Sequence, residues 1–67
     1  DAQKFMVVFH ELDAKDQYLL TSRFVEGKSY SSMASDLGIQ PNSVRMAVTR
    51  AKRSTFELLK QRYPDEK

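Results

Sequence analysis

The chain has no cysteine, one histidine, two glycines and two prolines in 67 residues. Without cysteine there is no disulfide scaffold and no thiolate metal site, and His10 alone cannot hold a zinc ion, so no metal or other cofactor is expected. Long hydrophobic runs are missing too. The longest, "FMVVF" from Phe5 to Phe9, is far too short to span a bilayer, and nothing has the shape of a signal peptide. These absences predict an intracellular, cytoplasmic domain that does not engage a membrane. A chain this short buries only about 60% of the surface it exposes when unfolded, so residues 1–67 form one domain of modest stability. Its first residue is Asp1 rather than Met, which predicts a fragment of a longer protein, although tag removal or processing would leave the same trace.

The net charge of +2 hides an uneven distribution. Residues 1–41 carry four basic and six acidic groups, whereas residues 42–62 carry Arg45, Arg50, Lys52, Arg53, Lys60 and Arg62 against Glu57 alone. Such asymmetry points to a polyanionic partner for the C-terminal segment. The competing reading is a solvated basic helix face.

The glycines and prolines fall between periodic segments and act as punctuation. Four helices and no strand are predicted. The first covers about Ala2 to Glu11, with Phe5, Val8, Phe9 and Leu12 at helical spacing. The second starts after Asp13, a capping residue, and runs to about Glu26 with Leu20 and Phe24 one turn apart, and Gly27 ends it. The third is short, about 31–37, with Ser29 as its cap, Met33, Ala34 and Leu37 facing inward, and Gly38 at its end.

The fourth, about 41–62, opens on Pro41, whose missing N–H would have no intrahelical acceptor in a first turn. At about 100° per residue from Val44, the positions Val48, Ala51, Thr55, Leu58, Leu59 and Arg62 fall within about 60° of it and form the stripe expected to be buried. Asn42, Met46, Thr49 and Arg53 lie opposite, flanked by Arg45 and Arg50. Tyr63-Pro64 stops the helix, because the residue before a proline is pushed out of the α region.

Enzyme chemistry finds little support. "EGKS" at Glu26 to Ser29 ends like a phosphate-binding loop, but that pattern needs a glycine where Ser22 stands. Glu11, Asp13 and Asp16 cluster near a helix start, where the macrodipole favours acids without any catalytic role. No Ser, His and Asp set can be assembled around the single histidine.

The third and fourth helices are different, because several requirements coincide. A helix-turn-helix needs a small residue where the helices cross, a glycine in the turn, and an aliphatic residue that locks the second helix onto the first. Ala34, Gly38 and Val44 supply these, and Leu37, Ile39 and Val48 fill the surrounding apolar positions. A helix packed by one face can enter a major groove roughly 12 Å wide and bring the other face to base edges. A helical hairpin that binds no DNA is the alternative, and the arginines on the outer face argue against it.

The stretch "LDAKDQYLLTSRFVEGKSYSSMASDLGIQPNSVRMAVTRAKRSTFELL", Leu12 to Leu59, resembles region 4 of bacterial sigma factors, especially the extracytoplasmic-function group. The resemblance is carried by "RFVEGKSYSSMASDLG", where the family has an arginine and an aromatic, then Glu-Gly, an aromatic, Ile/Met-Ala and Leu-Gly. It is carried also by "SVRMAVTRAK", where the family has Thr-Val-Arg/Lys, a short spacer and Arg-Ala-Arg. What the resemblance implies is an all-α four-helix domain whose last helix reads the promoter −35 element in double-stranded DNA, while another surface binds the flap of the RNA polymerase core. It also implies an anti-sigma factor, which covers this surface in many members.

By the same resemblance the base-reading positions fall on Arg45, Met46, Thr49 and Arg50. Arg53 and Lys52, with Asn42 and Ser43, are positioned for the DNA backbone. Arg23 matches a family arginine that can reach phosphate; pairing with Glu26 is the equal alternative. Three residues depart from the pattern. Met46 stands where a small polar residue is usual, so its contact would be apolar, as with a thymine methyl. Ser32 replaces a frequent glutamate, and Thr55 a usual leucine. Phe56 covers the first helix or marks a protein contact, with packing the expected role. Two other readings remain: the output or stand-alone helix-turn-helix domain of a response-regulator or phage-type regulator, and an adaptor whose basic helix binds an acidic protein or membrane surface.

Overall fold

A computed structural model describes residues 2–64, and among these there are four helices and no strand. Helix α1 spans Ala2–Glu11, α2 Ala14–Leu20, α3 Tyr30–Leu37 and α4 Pro41–Arg62; α2 runs on without a break into a π-helical turn, Thr21–Val25. This is the expected all-α architecture.

Local chemistry sets the boundaries. Asp13 has extended backbone and its carboxylate accepts the Asp16 N–H at 2.9 Å, so one of the first-turn donors of α2 is satisfied. Ser29 does the same for α3, accepting the Ser32 N–H at 3.0 Å. The carbonyls of Phe9 and Leu12, at and just past the end of α1, both accept from the Gln17 side-chain amide at 3.0 Å. That fixes the angle at which α1 leaves α2.

The second helix departs from expectation in its last turn. The Glu26 N–H donates to the Thr21 carbonyl at 3.0 Å, five residues back rather than four. A π turn holds more residues than an α turn, so positions four apart no longer share a face. Leu20 therefore stays buried at 7% exposure while Phe24 swings out to 58%, contrary to the inward placement expected from their spacing.

Helix α4 packs against α1, α2 and α3. Leu19, Met33, Ala34, Val44 and Val48 form the core beside the turn, with Tyr18, Tyr30, Leu37 and Ala47 packed around it. A second cluster of Leu12, Leu20 and Ala51, with Phe9 and Leu58, joins α1 and α2 to the middle of α4. Each fully buried Leu, Met or Val contributes about 1.5–3 kcal/mol relative to exposure, which makes these few residues the main stabilising term.

Thr55 is tolerated in the buried stripe because its hydroxyl donates to the Ala51 carbonyl at 2.9 Å, and no buried side-chain N or O among the described residues lacks a partner. Arg62 leaves the stripe. Its guanidinium is exposed and paired with Glu11, because a charged head at the last helical turn finds water and a carboxylate more cheaply than a core. Phe5, expected on the inner face of α1, is 38% exposed.

Candidate nucleic-acid interface

The turn between α3 and α4 is made by Gly38, which has φ 70° and ψ 32°. Its N–H and that of Ile39 both donate to the Ala34 carbonyl, the latter at 3.1 Å, closing the end of α3. A Cβ at Gly38 would meet nothing within 4 Å, so the left-handed conformation, not crowding, calls for glycine here. Gln40 precedes α4 in extended backbone without a side-chain cap bond, and Pro41 occupies the first turn.

Around the turn, Ala34, Val44 and Val48 are buried and Leu37 is half-buried. Ile39 is the exception. It lies in the turn itself, outside both helices, and is 39% exposed.

With Val44 and Val48 turned inward, the opposite side of α4 carries Asn42, Arg45, Met46, Thr49, Arg50 and Arg53, which together line one shallow depression. All six are exposed, as is Ser43. Two hydrogen bonds order this surface. Arg45 Nη2 donates to Asn42 Oδ1 at 2.9 Å, and the Thr49 hydroxyl donates to the Arg45 carbonyl at 3.1 Å. Among the described residues, Arg50 and Arg53 have no carboxylate partner. A helix edge presenting three arginines with no internal neutralisation suits a polyanion.

Two of the residues expected at the DNA backbone lie elsewhere. Lys52, two turns beyond Arg45 on α4, lines the neighbouring cleft and not this depression, its ammonium standing 5.6 Å from the Phe24 ring centroid. Arg23 neither pairs with Glu26 nor stands free: it donates to the Lys28 carbonyl at 3.0 Å, and its guanidinium lies 4.3 Å from the Tyr30 ring centroid. That contact pins the start of α3 to the π turn. Lys28 takes the carboxylates instead, Asp36 at 3.2 Å and Glu26 at 3.8 Å.

A feature that periodicity did not disclose lies between α1, the π turn and α4. There Phe5, Met6, Phe24, Val25 and Phe56 are all exposed and wall an almost wholly apolar cleft of about 480 Å³ floored by Phe9, Leu20 and Thr55. Phe56, at 59% exposure, is thus a wall of the cleft and not a cover for α1. The usable signal was the position of Phe56 outside the buried stripe of α4; the rotation of Phe24 by the π turn has no signal in the sequence.

No helix among the described residues is long and apolar enough to cross a membrane, and no group of three or more His, Cys, Asp or Glu among them could hold a metal ion. No curated protein and no solved structure matches the chain significantly. The family described as sigma-70, region 4, matches residues 2–54. Region 4 is a DNA-binding and not a catalytic family, and in sigma factors it binds the promoter −35 element and RNA polymerase. An all-α domain with a helix-turn-helix and a basic outer face, matched over most of its length, the chain belongs to the sigma-70 region 4 family.

Proposed function

We propose that this chain is the −35-reading domain of a bacterial sigma factor of the extracytoplasmic-function group, working in the cytoplasm as part of a longer protein. The supporting observation is the depression on α4 lined by Asn42, Arg45, Met46, Thr49, Arg50 and Arg53, opposite the residues that seat the helix. In this reading Arg45, Met46, Thr49 and Arg50 meet base edges, with Arg45 bidentate to a guanine. Arg53, Asn42 and Ser43 meet phosphates, while Lys52 and Arg23 contribute to charge and packing instead. The polymerase flap, or an anti-sigma factor competing with it, occupies the apolar cleft walled by Phe24 and Phe56.

The test compares two substitutions on cognate and scrambled duplexes across a salt series. Arg45→Ala should cost roughly 1–3 kcal/mol on the cognate site and little on the scrambled one. Arg53→Ala should weaken both alike and reduce the salt slope by about 0.9. Equal effects of the two on both duplexes would refute base readout. The full-length gene product tests the sigma assignment: an upstream promoter-melting domain supports it, and a phosphoacceptor domain favours a response regulator.

A further inference from the structure

Within the arginine face one element is not polar. Met46 is 49% exposed and stands between Asn42 and Arg50, four residues to either side on the same helix, and three residues before Thr49. Its thioether has no donor to offer a base edge. Thr49 is the other polar candidate at the centre of the face, yet its hydroxyl hydrogen is committed to the Arg45 carbonyl at 3.1 Å. Thr49 keeps its hydroxyl oxygen as an acceptor only, with its γ-methyl as the apolar part of the side chain. Arg45, meanwhile, is tied toward the N-terminus of α4 by its bond to Asn42 at 2.9 Å, while Met46 lines the same depression at 49% exposure.

Resting on the DNA-binding reading above, we propose that Met46 and the Thr49 methyl form an apolar seat for the C5-methyl group of a pyrimidine, next to the guanine gripped by Arg45. In the major groove the C5-methyl is the apolar group that thymine presents at the base edge, and apolar side chains recognise it by contact. The face then reads a two-part word, a guanine by hydrogen bonding and a neighbouring thymine by methyl burial. Burial of one methyl against a thioether is insensitive to salt, whereas the flanking arginines are not. The specificity this seat confers therefore persists as ionic strength rises and overall affinity falls.

The experiment selects duplexes from a randomised pool with the protein at low ionic strength, then replaces each thymine of the selected site in turn by deoxyuridine. That exchange removes the C5-methyl and leaves every Watson–Crick and groove hydrogen-bonding group in place. At one position the affinity should fall roughly threefold to fivefold, about the transfer of a single methyl group. Met46→Ala should shrink the difference between the thymine and uracil duplexes, and Thr49→Val should retain it. The proposal is overturned if no thymine is sensitive to the exchange, or if the sensitivity is undiminished in Met46→Ala. Enrichment of a guanine that depends on Arg45 without any methyl effect leaves base reading standing and removes only the seat. Absence of any enriched sequence removes both.

Discussion

The arginine face and the cleft beside it share helix α4, yet the first is lined by Asn42, Arg45, Met46, Thr49, Arg50 and Arg53 of that helix alone and the second by Phe5 of α1, Phe24 and Val25 of the π turn and Phe56 of α4. Their construction differs as much as their chemistry. The arginine face is local: its residues come from consecutive turns of one helix, and its internal bonds run three and four residues along it. It exists wherever α4 exists, and needs the rest of the domain only to aim it. The cleft is assembled from α1, the π turn and α4, so it exists only while three elements hold their relative positions. The difference teaches that a polyelectrolyte and an apolar partner can be served by one helix with little interference. One surface depends on orientation and salt, the other on packing.

The most damaging change should defeat both regions together. Met33 is fully buried in the cluster that joins α2, α3 and α4, and Met33→Ala should destabilise the domain by about 2–5 kcal/mol. In a domain of this size that approaches global unfolding, and circular dichroism melting should show a large drop in the midpoint. Survival of the cleft without the turn, or of the turn without the cleft, would show that the two are not one cooperative unit.

The two glycines separate the regions. Gly27 and Gly38 both have φ 70°, and a Cβ at either meets nothing within 4 Å, so alanine at each should cost roughly 1–2 kcal/mol through the left-handed backbone alone. Urea denaturation should give similar losses. Their functional effects should diverge: Gly38→Ala disturbs the aim of α4 and weakens DNA binding, whereas Gly27→Ala disturbs the end of the π turn and the Phe24 wall. Similar DNA-binding losses for both would erase the distinction.

A smaller effect on stability, with a selective effect on binding, is expected at the cleft wall. Phe56 and Phe24 are mostly exposed, and Phe56→Ser should change stability by no more than about 0.5 kcal/mol. DNA affinity should be unchanged, while affinity for the polymerase flap fragment, measured by fluorescence polarisation, should fall sharply. An unaltered flap affinity would take the cleft out of the polymerase contact.

The arginine face and the cleft also differ in how legible they were. Periodicity located Val44, Val48, Ala51 and Thr55 in the buried stripe, and so placed Arg45, Met46 and Thr49 outside, because a single long helix has a fixed 3.6-residue repeat. Asp13, Ser29, Gly38 and Pro41 marked boundaries through capping and backbone chemistry that acts within a few residues. What escaped is tertiary. The π turn at Thr21–Val25 moved Phe24 off the face its spacing implied, and with Phe56 it opened a cleft that no local pattern encodes. Arg62 and Lys52 sat at angles that periodicity reads correctly, but their long side chains chose partners, Glu11 and the Phe24 ring, that lie far off in sequence. Arg23 finds its partners nearer, the Lys28 carbonyl and the Tyr30 ring, across a bend that Gly27 makes and periodicity does not describe.

The smallest expected effect concerns the polar cluster that ties α2 to α3 beneath the turn. The Tyr18 hydroxyl donates to Asp36 Oδ2 at 3.1 Å, and the Lys28 ammonium donates to the same oxygen at 3.2 Å. Lys28 also stands 5.7 Å from the Tyr18 ring centroid. The hydrogen bond from Lys28, with that from Tyr18 behind it, holds the Asp36 carboxyl below the ordinary aspartate range; the same bond to Asp36 raises the Lys28 ammonium. A lowered acid contributes stability that is present above its unfolded pKa and lost as pH falls through the folded value. A raised base contributes stability that is present below its unfolded pKa and lost as pH rises through the folded value. The cluster therefore supports the fold on a plateau between about pH 4 and pH 10 and releases at both ends. All three groups are solvated and salt screens them, so the edges should be shallow. Melting temperature measured from pH 2.5 to 7 should show an acid edge that Asp36→Asn flattens, and raising salt should shrink the difference between the two proteins. Since the cluster braces the first helix of the turn and touches no wall of the cleft, Asp36→Asn should leave flap binding unchanged. An acid edge identical in both proteins would assign that edge to groups outside this cluster.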